Sequence, residues 1–421
     1  MSTRRNCLAD KLNRDLQKDR LRRNVISNDT DEGKESSSLS PKVLVAAFLI
    51  IIILGAAAVF LWFNFRFASD YDVVWERELD SGSSAETFKG YLTLKNGMLR
   101  YSKDGAQYIL SDGSAAWERS YQMNNPVGAS GNDFAVIYDQ GGSSIYIFND
   151  KENTGIASTL LPIRHAVVSD TGIVYAVLND ETAEYITAFR KDGEAVDLSV
   201  KSILTGDGYP VSFDVSPDGT ELITSYLSIE DGDIVSKIIF RNFGEIGQNA
   251  DSRRIVGGFT GEVEGKLPAK VNFSTNQYSQ AFYDGGIVFF STKVLTSPEV
   301  VNHLQSEDEM LSIAYSASNV AAVYDNSSNE KENGRYRAEV YNLTGRKLCD
   351  IVFDYSYTGM ELSGRDLIIY SQDQINIYDI SGRDRAKLDI SGIRVSKVVK
   401  GSFPGEYLVT GGNVIEKLRL K

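Results

Sequence analysis

Cysteine and histidine are almost absent from this 421-residue chain, at two apiece, and tryptophan occurs three times. Two cysteines, Cys7 and Cys349, cannot build a disulfide framework, so any folded part must rest on its own apolar core. The two histidines, His165 and His303, each lack a second His, Cys or carboxylate at ligand spacing within their own segments. That pattern speaks against zinc centres, and no G-x-S-x-G elbow marks a serine nucleophile. Positive charge is also in short supply. Of 44 basic and 57 acidic residues, ten and seven fall within residues 1–42; setting Arg66 aside too leaves 33 and 50, a net charge of −17 over the rest. A surface that acidic repels phosphate backbones, which excludes nucleic acid as the expected partner.

One long apolar run is present. Val43 to Phe63 holds 21 residues without a charge, and a helix needs about 20 to cross the hydrocarbon core. Lys42 stands at one end and Trp62, Phe63, Phe65 and Phe67 at the other, where aromatic rings favour the interface. Ser69 to Asp80 carries five acids and one Arg, so the charge asymmetry places the N-terminus inside and the bulk of the chain outside. The expected organisation is a cytoplasmic tail at 1–41, a single transmembrane helix at 42–66 and an extracytoplasmic domain at 71–421. A signal peptide is the competing reading, but h-regions run about 7–15 residues behind a short n-region, and here 42 residues come first. A large external domain without disulfides fits a bacterial envelope. Within the tail, Leu8, Leu12 and Leu16 followed by Arg20, Arg22 and Arg23 predict a short basic helix over 6–24.

From Val73 onward, short β-branched and aromatic runs alternate with Gly, Asn, Asp and Ser, the pattern of an all-β domain. FAVIYD, IVYAVL, GIVFFS, VAAVYD and DLIIYS are examples. An apolar residue stands four positions before a glycine in Ile109/Gly113, Phe189/Gly193, Phe240/Gly244, Tyr341/Gly345 and Tyr378/Gly382, predicting hairpins between the outer strands of repeated units. The span from Gly113 to Gly382 divides into six steps of about 45 residues, the length of a four-stranded propeller blade. The predicted fold is an all-β, eight-bladed propeller, with seven as the alternative count. The last blade has room for three strands, and VVWEREL (73–79) resembles AAWERSY (115–121), so strand 73–79 is expected to complete it and close the ring.

VSFDVSPDGTELITSYL (211–227) resembles the WD40-like and TolB-type repeat, whose SPDG turn links the inner two strands of a blade. The succession WERSYQMNNP (117–126), IIFRNFGEIGQN (238–249) and VGGF (256–259) is similar to an uncharacterised Gram-positive family of single-pass membrane-anchored propellers, a domain of unknown function classed with quinoprotein-like folds. That resemblance implies a membrane-tethered propeller and no particular activity. Quinoprotein enzymes carry Trp-docking repeats; Ala166 to Val177 matches the front of one through Asp170, Thr171 and Gly172, but ends without Trp.

No catalytic, cofactor-binding or metal-binding residue is therefore assigned, and no cofactor is expected. His165 opens an innermost strand, where a channel acid–base role competes with a structural one, and His303 is expected at the surface. GDG (206–208) and EDGD (230–233) lack the full acidic series of a calcium loop. Tyr209, Tyr278, Tyr355 and Tyr357 are candidates for one binding face. The leading expectation is a noncatalytic scaffold outside the cytoplasmic membrane, anchored by one helix, with a protein or cell-envelope partner. The rival is a sensor or enzyme taking a small ligand at the channel mouth.

Overall fold

The computed structural model describes residues 41–78, 90–95, 97–250, 253–328, 334–412 and 414–421. It divides into two units, Met1–Trp62 and Phe63–Lys421. In the first, the described part is a helix, Pro41–Phe65, whose last residues pass into the second. Its described side chains, 45–61, are all exposed. Among the described residues no helix is long and apolar enough to cross a membrane; the uncharged run 43–63 extends past those side chains at both ends. The basic helix expected at 6–24 lies outside the described residues.

The second unit is built of eight antiparallel four-stranded sheets. Seven are meanders, in which consecutive strands pair and the bonds are made locally. The innermost strands of blades 1 to 8 are Gly90–Leu94, Pro126–Ser130, Ile163–Val168, Tyr209–Val215, Lys270–Thr275, Met310–Tyr315, Gly359–Ser363 and Lys397–Lys400. Blade 8 is completed by the N-terminal strand Tyr71–Glu78, which pairs antiparallel with Val414–Leu420 from Tyr71↔Leu420 to Glu78↔Val414. The count of eight is thus settled in favour of the longer of the two expected rings.

Middle strands such as Phe134–Asp139 and Gly286–Ser291 are buried almost throughout. Both of their faces are covered by neighbouring blades, which is why they read as continuous apolar runs and not as alternating ones. One such interface joins Val136, Tyr138, Ile145 and Ile147 to Ile163, Ala166, Val168 and Val174. Outermost strands behave differently: Ala195–Ile203 alternates between exposed and covered positions. Trp117, on the outermost strand of blade 1, stacks on Phe148 of blade 2 at 5.1 Å. Trp75 does the same work one blade earlier, packing its ring so close to Gly113 that a β-carbon there would sit 2.7 Å from it. Both tryptophans therefore tie one blade to the next, as the likeness of their strands suggests.

Four of the five recurrent glycines, Gly113, Gly193, Gly345 and Gly382, adopt positive φ between the third and fourth strands, and Asp112, Asp192, Asn342 and Asp379 accept backbone N–H bonds in the same turns. Gly244 departs from the pattern. Its φ is not positive, and the short helix Glu245–Ala250 replaces the tight turn.

Candidate functional site

The eight innermost strands surround a central cavity of about 630 Å³. Its wall has two unlike arcs. Blades 1 to 3 contribute mainly uncharged surface, including Tyr91, Gly128, Ala129 and Val167, with Lys95 and Asp170 at its rim, whereas blades 4 to 8 contribute Asp214, Lys270, Tyr315, Glu361 and Lys397, one from each blade. These five residues all lie on innermost strands, at different heights along them, so the ring brings them to one wall.

The local chemistry explains how two of them are held. Ser212 and Asp214 face the edge of the neighbouring strand in blade 5 and accept hydrogen bonds from its backbone, Val271 N–H to Ser212 Oγ at 3.2 Å and Phe273 N–H to Asp214 Oδ2 at 2.7 Å. Asp214 also accepts from the N–H of Val215. Burial raises its pKa above the usual carboxylate range, against the pull of Lys270 and these N–H groups. Lys270 is hydrogen-bonded to Tyr315 and feels Asp214 through space; burial opposes its charge, but those two neighbours outweigh it and its pKa lies above the ordinary value. Burial pushes the Tyr315 phenol up as well. Farther round, Lys397 donates to Glu361 in an ion pair.

One end of the cavity is rimmed by the turns that follow the innermost strands, and these are stitched together around half the ring. Lys95 N–H donates to Asn132 O at 3.0 Å, Asn132 N–H to Asp170 Oδ1 at 2.5 Å, Asp170 N–H to Pro217 O at 2.9 Å, and Asp218 N–H to Asn276 Oδ1 at 3.0 Å. Gly131 is needed here, because a β-carbon would come within 2.6 Å of the Asp170 carboxylate. The Asp170–Thr171–Gly172 segment, similar to a fragment of a docking repeat, is part of this girdle, with Gly172 at positive φ.

His165 does not line the cavity. Its Nδ1 is hydrogen-bonded to the Tyr138 hydroxyl at 3.0 Å, its ring meets Phe213 edge-on, and burial, with Lys270 and Arg164 nearby, lowers its pKa to about 4. The imidazole is neutral and structural. His303, expected at the surface, is instead half-covered on the outermost strand of blade 5 and bonded through Nε2 to the Tyr283 hydroxyl at 2.6 Å. Asp207 of the GDG turn is spent on Arg253 at 2.9 Å and on Ile203 N–H. No group of three or more metal-ligating side chains exists among the described residues. The four tyrosines do not share a face. Tyr209, Tyr355 and Tyr357 lie on the end carrying the connections between blades, while Tyr278 follows a turn at the opposite end. Sequence reading missed Asp214, Lys270, Tyr315, Glu361 and Lys397, because they are 36 to 56 residues apart and form no local motif.

The connection face carries a second feature. The middle strands of blade 4, Glu221–Glu230 and Asp233–Asn242, pair as far as Glu230↔Asp233, but the innermost strand stops at Leu227 and the outermost at Ile238. Residues 228–237 therefore form a two-stranded ribbon whose edges no further strand pairs, tied near its base by the Ser236 hydroxyl to the Lys266 carbonyl. Ile229 and Ile234 are paired across it and are 76% and 47% exposed. Exposed Ile203 and Tyr209 lie at its base.

Fold and wall together define an eight-bladed β-propeller with a charged central channel. Residues 64–420 match the model of a family of unknown function, DUF5711, and the chain belongs to that family. No curated protein matches the sequence. Among solved structures, the chain is similar to Sqt1 from Chaetomium thermophilum, at 13% identity and TM-score 0.53 over 83% of this chain and 98% of that one. It is similar also to BamB from Moraxella catarrhalis, at 12% identity and TM-score 0.50 over 83% and 100%. At that level of identity the likeness concerns the fold.

Proposed function

We propose that this chain is a noncatalytic docking propeller, held at the outer side of a cytoplasmic membrane by residues 42–66 and presenting its blades to a protein or cell-envelope partner. The observation that carries the docking reading is the blade 4 ribbon. An exposed isoleucine pair on strands with unpaired edges is a liability in a protein left uncovered, and it is the surface that strand addition by a partner uses. Glu230, Asp231 and Asp233 at its tip keep the ribbon from pairing with its own copies by like-charge repulsion and favour a partner segment with basic residues. The anchoring reading is supported by the uncharged run 43–63 and by the charge asymmetry on its two sides.

Photo-crosslinking in cells from position 229 tests the docking surface. One discrete adduct is expected, absent when the probe sits at exposed Ile156 and lost on Ile234→Ser. Equal labelling from positions 229 and 156 would remove the ribbon as the docking surface. For the anchor, protease added to intact protoplasts should digest the propeller and spare an N-terminal epitope; digestion of that epitope would reverse the topology.

A further inference from the structure

The charged arc of the channel holds two opposite charges whose bonding capacity is only partly used. A lysine ammonium carries three donors, and that of Lys270 is hydrogen-bonded to Tyr315 alone. The Asp214 carboxylate offers about four acceptor sites, of which Phe273 and Val215 N–H groups take two and the Asn272 amide, turned to satisfy its neighbours, a third. Glu361 and Lys397, in contrast, are paired with one another. Lys270 and Asp214 sit on adjacent innermost strands in one cavity, opposite a neutral arc that includes Tyr91, Ala129 and Val167.

We propose that the channel binds a small zwitterion, a free amino acid or short peptide, with its carboxylate on Lys270 and Tyr315 and its ammonium on Asp214. Three properties of the wall select that class. Unspent positive and negative groups within one cavity match a ligand carrying both charges, and a simple anion or cation would leave one of them without a partner. The enclosed volume of about 630 Å³ falls in the range of small-molecule sites, about 300–1,000 Å³. Tyr91 and Ala129, on blades 1 and 2, give apolar side chains of the ligand a surface away from both charges. A terminus of a folded protein brings one of the two charges, not both, so the free molecule is the better complement. Binding in the channel is independent of docking at the blade 4 ribbon.

The test is calorimetric titration of the full-length protein in nonionic detergent with L-alanyl-L-alanine, its N-acetyl derivative and its C-terminal amide. Saturable binding of the dipeptide is expected, with each capped form at least about tenfold weaker. Lys270→Met should abolish the preference for the free carboxylate while leaving the preference for the free amine. Asp214→Asn should do the reverse, and Lys270→Arg should retain both. The wild-type comparison of capped and uncapped ligands stands whether or not a variant folds. Absence of saturable binding by the dipeptide, or equal binding of the capped forms, would overturn the proposal.

Discussion

The ring is joined in two different ways. From blade 1 to blade 5 the turns rimming the channel are linked mainly by backbone groups, in the succession Lys95, Asn132, Asp170, Pro217 and Asn276. At the junction of blades 7 and 8 the links are charged. Asp366, fully buried, pairs with Arg385 of its own blade and with Lys400 of blade 8 at 2.7 Å, and it accepts the Tyr407 hydroxyl at 3.0 Å. Glu361 pairs with Lys397 across the same junction. Within blade 8, Glu406 holds Lys417 at 2.6 Å and Arg419 at 2.7 Å.

The difference coincides with chain topology. Blades 1 to 7 follow one another through short connections, and their order, like the step from blade 7 to the innermost strand of blade 8, is given by covalent continuity. Blade 8 must recruit the strand Tyr71–Glu78 from the other end of the domain, a closure across more than 300 residues. Buried ion pairs add little net stability but penalise wrong partners strongly. On this reading the buried charges fix the packing of the blade that receives Tyr71–Glu78, and the closing strand itself is tied by Lys421 to Asp70 and Asp72.

The largest effect should come from breaking the charged junction of blades 7 and 8. Asp366→Ala leaves Arg385, 3% exposed, without its anion and should cost about 3–5 kcal/mol in unfolding free energy. Denaturant titration reads this directly, and a loss below about 1 kcal/mol would make the cluster incidental.

The two regions should also respond to pH with opposite signs. In blade 8, Lys417 and Arg419 outweigh the burial of Glu406 and hold its pKa below the usual value. That contribution is present above the unfolded pKa, near 4.5, and is lost as pH falls through the lowered folded value. In blade 4, burial and the nearby Asp218 carboxylate push Glu221 up to about 8. Its folded form keeps the proton, so the associated stability is present below 4.5 and is lost as pH rises towards 8, by at most about 1.4 kcal/mol per pH unit. Glu221→Gln should therefore raise the thermal midpoint at pH 8 relative to wild type and change it little at pH 4.5. An equal change at both values would contradict the assignment. His165 adds to the acid loss: its folded pKa of about 4 lies below the unfolded value of 6.5, so its contribution is complete above 6.5 and lost between 6.5 and 4.

Smaller effects belong to the hydrogen-bonded girdle and to the edge of the closing strand. Asn276→Ala removes one bond to Asp218 N–H at a solvent-accessible turn and should cost about 1 kcal/mol in the same titration, well short of the Asp366 effect. At the seam, Glu76 faces Glu416, and burial together with Glu76 raises the Glu416 pKa. Glu76→Lys should stabilise the ring by about 0.2–1 kcal/mol at neutral pH.

The blades were legible in the sequence because their turns demand particular residues. Gly113, Gly193, Gly345 and Gly382 stand where φ is positive, and this constraint repeats with the blade. Gly244 carried the same spacing for another reason, its turn having been replaced by a helical segment. The channel arc was not legible. Asp214, Lys270, Tyr315, Glu361 and Lys397 are ordinary residues of separate strands, and only the ring brings them to one wall. His303 was misjudged because a flanking proline suggested an exposed end, whereas the strand resumes and the ring reaches Tyr283. Nothing local in the sequence marks the blade 4 ribbon either. Its length shows only when the neighbouring strands are seen to stop short.

Closure of the ring by the N-terminal strand is the claim on which the rest depends, and cysteine pairing measures it directly. In a full-length background with Cys7→Ser and Cys349→Ser, the pair Glu76→Cys and Glu416→Cys stands directly opposite in the antiparallel register. Mild oxidation should bridge it nearly completely, visible as a mobility shift on nonreducing gels, because opposed strand positions lie within about 4.5–5.5 Å between α-carbons. The offset pair Glu76→Cys and Leu420→Cys, four positions away along the strand, should remain reduced. Failure of the first pair to bridge, or equal bridging of both, would show that Tyr71–Glu78 does not complete blade 8.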